Sequence, residues 1–148
     1  IFFSSEDYIN TNLEVGTVFY FEAPELIETD IPHYFIIVAI DNDDNYLVQC
    51  TTQKENKERF FERAGFDLST LVYIKPDDNN GFTKDTYVDC NYCIPLNKEN
   101  LIEKRDQGVL ICKGKISYDH YDQIRNGINE SYVNDLDREL LVHPEDNE

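Results

Sequence analysis

The stretch that decides the fold reads PHYFIIVAIDNDDNYLVQCTT and covers residues 32–52. Residues 34–40 form an unbroken apolar run, rich in β-branched side chains, that ends at a cluster of Asp and Asn. A run of this kind, closed by turn-forming residues, is typical of a strand buried on both faces. Residues 46–52 form the next strand-like run after that turn. The two runs together predict an antiparallel hairpin at the centre of a sheet.

Further strands flank this hairpin in the sequence, each marked by β-branched and aromatic residues. They cover residues 17–21, 71–75 and 86–96. Helical spacing of apolar residues, together with capping side chains, predicts helices elsewhere. They fall within residues 53–65, 98–105, 117–129 and 133–141. Because the strands largely precede the helices, the predicted class is α+β, with an antiparallel sheet or closed β-barrel and helices to one side.

The length of 148 residues fits one domain, so residues 1–148 are predicted to form a single unit. Residues 1–14 are polar with scattered aromatic side chains and predict an irregular arm. Residues 143–148 predict a loose tail. No stretch approaches the roughly 18 apolar residues that a bilayer-spanning helix requires, so we expect no membrane partner.

The charge of the chain is strongly acidic, with 30 acidic residues against 13 basic ones and a net charge of −17. Such a chain repels polyanions, and phosphate neutralisation normally supplies most of the affinity for nucleic acids. The charge therefore argues against RNA, DNA or an anionic membrane as a partner. A basic partner protein is compatible with it, and so is a role in solubility alone.

The cysteines predict a reduced, metal-free protein. Cys50, Cys90 and Cys112 lie in apolar, strand-like runs, which indicates buried free thiols in a reducing cytoplasm. The pair Cys90 and Cys93 has the spacing of a metal or redox motif. Positions three apart on one strand point to opposite faces, so this pair is not expected to converge on a metal ion. We expect no metal and no cofactor.

Four short motifs occur in an order that resembles a known family. They are residues 16–19 (GTVF), Pro32 before the apolar strand, residues 51–53 (TTQ) and residues 87–91 (YVDCN). In this order they resemble the MazF/PemK family of toxins of type II toxin–antitoxin systems, over about residues 14–141. The resemblance implies a small SH3-like antiparallel β-barrel, related to that of CcdB, with C-terminal helices. It also implies metal-independent endoribonuclease activity, a cognate antitoxin protein and a homodimer as partners.

The sequence departs from the family where the chemistry is expected. Family nucleases use an arginine before the proline of the second strand, and this chain has Ile31 there. A second arginine, in the fourth motif, is replaced by Asp89, and its acidic neighbour is Asn91. A carboxylate in place of a guanidinium reverses the sign of the charge beside a bound phosphate.

Several residues remain as candidates for the site. His33 is a candidate base because histidine titrates near neutral pH, and its alternative is a packing role beside the buried strand. Thr51 and Thr52 are candidate phosphate contacts, or simply β-branched residues at a strand end. The basic residues that follow form a candidate RNA-binding cluster, although interleaved glutamates predict ion pairs along a helix instead. They are Lys54, Lys57, Arg59 and Arg63.

Two hypotheses of different classes follow. The first is a divergent MazF/PemK-like toxin, a candidate endoribonuclease that lacks the usual arginines and uses relocated groups. The alternative is a catalytically inactive, acidic protein-binding module on the same barrel. The sequence leaves open whether the chain is an enzyme and whether RNA is a partner, since fold alone does not determine function.

Overall fold

The computed structural model describes residues 4–24 and 32–141. Within these ranges the chain forms seven strands and four α-helices. The strands are β1 (Thr17–Phe21), β2 (His33–Asp41), β3 (Asp44–Thr51), β4 (Leu71–Ile74), β5 (Thr86–Asp89), β6 (Ile94–Asn97) and β7 (Leu110–Lys115). The helices are α1 (Ser5–Asn12), α2 (Lys54–Ala64), α3 (Lys98–Asp106) and α4 (Tyr118–Glu130).

The strands form one antiparallel sheet in the order β4-β5-β3-β2-β1-β7. The predicted hairpin is confirmed: β2 pairs with β3 across a tight turn in which Asn42 takes a positive φ of 57°. Asparagine tolerates this left-handed conformation better than most residues. β5 pairs with the C-terminal end of β3, and β6 pairs with its N-terminal half. The predicted α+β class with an antiparallel sheet is therefore confirmed.

Strand β2 is buried on both faces, as its apolar run predicted. Ile36 and Val38 pack into one core cluster, which includes Ile124 of α4. Phe35 and Ile37 pack into a second cluster, which α1 and α3 also enter. The helices thus cover both faces of the central strand and not one side, because alternate side chains of β2 are apolar in both directions.

The loop that follows β4, at one end of the strand order, contacts β7 at the other end. The Lys115 backbone N–H donates to the Asn79 carbonyl at 2.9 Å. A Cβ on Gly81 would lie 2.2 Å from the Lys113 carbonyl oxygen, and one on Gly114 would lie 2.1 Å from the Asn79 carbonyl oxygen. Only glycine permits this approach. Pairing of β4 with β7, which would close a barrel, is not among the strand pairings of the described residues.

The predicted irregular arm over residues 1–14 is wrong for most of its length. Ser5–Asn12 forms α1, and the Ser4 side chain caps it by accepting from the Asp7 backbone N–H at 3.1 Å. Ile9 is its fully buried residue, so the helix has little of the apolar periodicity by which a sequence reveals a helix. Residues 1–3 and the predicted loose tail over 143–148 lie outside the described residues.

The single strand predicted over residues 86–96 is divided into β5 and β6. The chain turns after Asp89, whose carboxylate accepts the Asn91 backbone N–H at 3.0 Å. Cys90 and Cys93 therefore lie in the segment that joins β5 to β6, and the prediction that they occupy opposite sides of one strand is wrong. Burial raises the pKa of both thiols, to about 11 for Cys93. All four cysteines belong to the described part of the chain, and all are free thiols.

Three of the four predicted helices are present, and the C-terminal third differs from prediction elsewhere. Helices α3 and α4 are confirmed, with Asn97 and Ser117 as their caps, and α2 is confirmed within residues 53–65. The helix predicted over 133–141 is absent from that described segment, which contains only a short 3₁₀ turn at Arg138–Leu140. Strand β7 was indicated only by the strand-like run around Cys112 and was not among the predicted strands, because its side chains are half exposed and it contains a glycine.

Candidate functional site

A cavity of about 300 Å³ lies between the end of β3 and the first turns of α2. Its wall contains two of the sequence-predicted residues, one catalytic candidate and one RNA-binding candidate, with amide and aromatic side chains around them. The lining residues are Gln49, Thr51, Gln53, Asn56, Lys57 and Phe60.

Local structure explains how these side chains converge. Gln49 and Thr51 are two positions apart on β3, so both side chains point to the same face of the sheet. The Thr51 hydroxyl accepts the Gln53 backbone N–H at 3.0 Å, which fixes the chain where α2 begins. Asn56 and Phe60 are one turn apart on α2 and share a face. The cavity therefore forms from a strand end and a helix start that are adjacent in sequence.

The cation of this cavity is paired with a carboxylate. The Lys57 Nζ lies 3.1 Å from the Asp89 Oδ2, and the two side chains are only 23% and 9% exposed. The Lys57 ammonium also lies 5.3 Å from the centre of the Phe60 ring. The toxin family that the sequence resembles has an arginine at the position of Asp89. In this chain the position carries a carboxylate, and Lys57 of α2 supplies the positive charge beside it.

His33 lies beside the cavity and not in its wall. It begins β2, where it pairs with Phe21 of β1. Burial, and then the nearby positive charge of Lys57, lower the pKa of His33 below its usual 6.5. The imidazole is therefore neutral at physiological pH. Its Nε2 atom is buried and makes no hydrogen bond to the described residues, whereas the residue as a whole is only partly buried.

A buried polar network extends from Asp89 to the C-terminal segment. The Asn91 side-chain N–H₂ donates to Asp89 Oδ1 at 3.1 Å and to the Thr70 hydroxyl at 2.9 Å. The Ser131 hydroxyl donates to Asn91 Oδ1 at 2.9 Å and accepts the Asn134 backbone N–H at 3.1 Å. Burial makes each of these bonds costly to break, because an unpaired polar group would remain in the core.

The remaining predicted residues do not join the cavity. Thr52 is exposed and lies outside its wall. Lys54 lies 4.0 Å from Glu58 on the helix surface, which is the ion pair that the interleaved glutamates predicted. Arg59 donates to the Asn56 side chain, and Arg63 is exposed in the last turn of α2. The predicted RNA-binding cluster is thus divided, and only Lys57 faces the cavity. Ile31 lies outside the described residues.

Sequence reasoning missed the cavity's amides and the whole network. Gln49 was detectable, because it precedes Thr51 by two positions on the same strand. Asn56 was detectable as a helix neighbour of Phe60. No sequence signal linked Asn91 to Ser131, since they are 40 residues apart and meet only in the folded chain.

The arrangement suits recognition of an anionic oxygen. An ammonium, a hydroxyl and side-chain amides are the donors that hold phosphate groups in proteins. A neutral imidazole beside them is able to accept a proton near pH 7. The Asp89 carboxylate competes with any anion for Lys57 and weakens its binding.

Two further properties of the described residues concern metal ions and membranes. No group of three or more His, Cys, Asp or Glu side chains able to hold a metal ion occurs in residues 4–24 or 32–141. No helix within those same ranges is long and apolar enough to cross a membrane.

Neither a scan against protein-family models nor a search of curated proteins gives a match to this chain.

Proposed function

We propose that this chain is a divergent MazF/PemK-like toxin of a toxin–antitoxin pair, with an endoribonuclease-type site in the cavity between β3 and α2. The observation that carries the proposal is the convergence of Thr51 and Lys57 on one cavity, with a neutral His33 beside them. The loop from Asn79 to Gly81, which meets β7, supports an SH3-like barrel of the CcdB and PemK kind.

Each group has a role in metal-independent RNA cleavage. His33 accepts the proton of the RNA 2′-hydroxyl, whose oxygen then bonds to the adjacent phosphorus. The bond from phosphorus to the 5′-oxygen breaks, and the leaving oxygen takes a proton from water to give a 5′-hydroxyl and a 2′,3′-cyclic phosphate. Lys57 stabilises the added negative charge of the crowded phosphorus, and the Thr51 hydroxyl contacts the phosphate. His33 must rotate toward the cavity first, because its Nε2 is buried in this structure.

The activity is expected to be weak. Loss of one donor that stabilises a transition state typically lowers the rate by ~10²–10³. Here the cation nearest the cavity, Lys57, is already paired with Asp89. The net charge of −17 further opposes the approach of RNA.

A cleavage assay on mixed-sequence RNA, with a chelator present, tests the proposal. We expect slow cleavage by the parent, loss of it in His33→Ala and a strong decrease in Thr51→Ala. Thr52→Ala is the matched control, since Thr52 is exposed next to Thr51 and outside the cavity wall. Cleavage that survives His33→Ala, or that decreases equally in both threonine variants, would refute the assigned roles.

A second function, a catalytically inactive protein-binding module, is favoured by an exposed aromatic surface. Leu68 is 56% exposed and Tyr73 is 45% exposed, and the Tyr73 ring packs against Tyr87 with centroids 5.4 Å apart. Exposed apolar side chains of this size, grouped around a cavity of about 320 Å³, are typical of contact surfaces. The net charge favours a basic partner. Absence of cleavage from every variant of the assay would favour this function.

We also propose the two partners that the family resemblance implies, a cognate antitoxin protein and a second copy of the chain. Analytical ultracentrifugation of the purified protein tests the dimer. Co-expression with the product of an adjacent small gene, scored as relief of growth arrest, tests the antitoxin.

A further inference from the structure

We propose that the Asp89 carboxylate is an internal occupant of a phosphate-binding site formed around Lys57, and that Asn91 and Ser131 are positioning residues that hold it there. This inference rests on the proposed function in one respect, since the site is the same cavity. It goes beyond that function by assigning the ligand class, its internal competitor and the segment that controls the competition.

The geometry around Lys57 is that of an occupied anion site. Lys57 extends from α2 along the cavity wall, and its ammonium ends 3.1 Å from Asp89 Oδ2. Thr51 and Asn56 supply a hydroxyl and an amide to the same wall, and one N–H of that amide donates to Gln53 Oε1 at 3.2 Å. A phosphate oxygen in contact with Lys57 would have these neutral donors nearby, whereas the Asp89 carboxylate takes only the ammonium among them. Phosphate is therefore the ligand class that uses the whole set.

Asp89 is held in place from its other side. Its Oδ1 accepts both the backbone and the side-chain N–H of Asn91, at 3.0 and 3.1 Å. These neutral donors fix the rotation of the carboxylate, so that Oδ2 faces Lys57. Asn91 in turn is fixed by Thr70 and Ser131. A carboxylate held by Asn91, which Thr70 and Ser131 hold in turn, gives up Lys57 only when one of these three supports moves.

The support most distant in sequence from Asp89 is the C-terminal segment. Ser131 ends α4 and begins the segment 131–141, which has little regular structure. Arg138 holds this segment in place by donating to the Ser131 carbonyl at 3.2 Å and to the Asn134 carbonyl at 2.9 Å. Displacement of the segment removes Ser131 from Asn91 and loosens Asp89. The segment therefore controls how strongly Lys57 is available to a phosphate group.

The test is a titration of the purified chain with inorganic phosphate, followed by two-dimensional NMR of backbone amides near the cavity. Asp89→Asn is the central variant, because asparagine keeps an oxygen for the Asn91 backbone N–H and loses the charge. We expect it to bind phosphate at least about tenfold more tightly than the parent. Glu6→Gln, at an exposed position on α1, is the control for the loss of one negative charge.

The positioning roles are tested with Ser131→Ala, which removes the donor to Asn91 and the acceptor of the Asn134 backbone N–H. It should tighten phosphate binding about fivefold, because Asp89 is then held less firmly. Ser131→Thr keeps the hydroxyl and should restore the parent value. Thermal unfolding of each variant verifies that it is folded. An equal increase in phosphate affinity in Glu6→Gln and Asp89→Asn, or no increase in either, would show that Asp89 does not occupy the phosphate site. No change in folded Ser131→Ala would overturn the role of the segment.

The double variant Asp89→Asn/Lys57→Gln tests whether Lys57 forms the site. It should lose the gain in phosphate affinity, and retention of the gain would overturn the site. Phosphate binding and RNA cleavage, measured on the same variant, separate this inference from the proposed function. Tight phosphate binding by Asp89→Asn without RNA cleavage would support the phosphate site and refute the nuclease.

Discussion

The Lys57 ammonium lies 3.1 Å from the Asp89 carboxylate, and both side chains are largely withdrawn from solvent. The pair joins α2 to the end of β5, two elements that are 22 residues apart in sequence at their nearest ends, Ala64 and Thr86. Removal of either partner leaves a poorly solvated charge unpaired, which is more costly than removal of both. The same pair therefore links the stability of the fold to the chemistry of the cavity.

Replacing Lys57 with Met should destabilise the chain by about 3 kcal/mol, because Asp89 is then left as a buried charge without its ion partner. The double variant Lys57→Met/Asp89→Asn should recover part of this loss. Urea unfolding followed by circular dichroism measures both. Lys54→Met is the matched control, since Lys54 pairs with Glu58 on the exposed face of the same helix. A loss in Lys54→Met as large as that in Lys57→Met would contradict the account.

The hydroxyl of Tyr121 should contribute measurably to stability. It donates to the Val38 carbonyl of the central strand at 2.8 Å, and Tyr121 is only 2% exposed. Tyr121→Phe should lower the free energy of unfolding by about 1 kcal/mol, because the carbonyl loses a buried donor. Burial raises the pKa of Tyr121 to about 12, so this contribution should persist to alkaline pH. Tyr92→Phe, at a position 51% exposed, should change little under the same urea titration.

Gly127 sets the distance between α4 and the turn after β5. A Cβ at this position would lie 2.8 Å from the Cys90 Sγ. Gly127→Ala should therefore destabilise the chain by about 1–3 kcal/mol through overpacking, despite the better helix propensity of alanine. Cys90→Ala provides the space, so the double variant should recover most of the loss. A double-mutant cycle from thermal melts measures this coupling, and strict additivity would show that the contact is unimportant.

The stability of the chain should depend on pH through His33. Burial and the charge of Lys57 lower its pKa in the folded state below 6.5, the value expected when unfolded. The unfolded chain therefore takes up a proton first as pH falls below 6.5, and stability is lost from that pH downward until the folded-state pKa is reached. Above that range the contribution is fully present.

Urea unfolding at about pH 7.5 and about pH 5.5 measures this contribution, because the unfolded pKa lies between the two. The parent and the control His120→Gln should lose more stability between these values than His33→Gln does. An identical loss in all three proteins would show that His33 is not perturbed.

The parts of the fold that sequence predicts are those with local signals. The hairpin of β2 and β3 was predictable because seven consecutive apolar residues end in a turn cluster. Helices α3 and α4 were predictable because Asn97 and Ser117 cap them. Strand β7 carries a weaker signal, the short run around Cys112, since among the described residues it pairs with β1 at a sheet edge and exposes alternate side chains.

The candidate site was predictable only one residue at a time. Thr51, Lys57 and His33 were each identified by residue type and position, but so were Thr52, Lys54, Arg59 and Arg63, which do not reach the cavity. What selects among them is the pairing of Lys57 with Asp89. That contact depends on a turn at Asn91 and on a serine 40 residues later, neither of which leaves a local pattern.

The most direct test of the central claim is the rate of RNA cleavage by Asp89→Asn compared with the parent, in the presence of a chelator. Release of Lys57 should raise the rate by about tenfold or more, since one additional cation then faces the phosphate. The double variant Asp89→Asn/His33→Ala should lose this cleavage. A rate for Asp89→Asn no higher than that of the parent, or cleavage that persists without His33, would contradict the assignment of this cavity as a nuclease site restrained by Asp89.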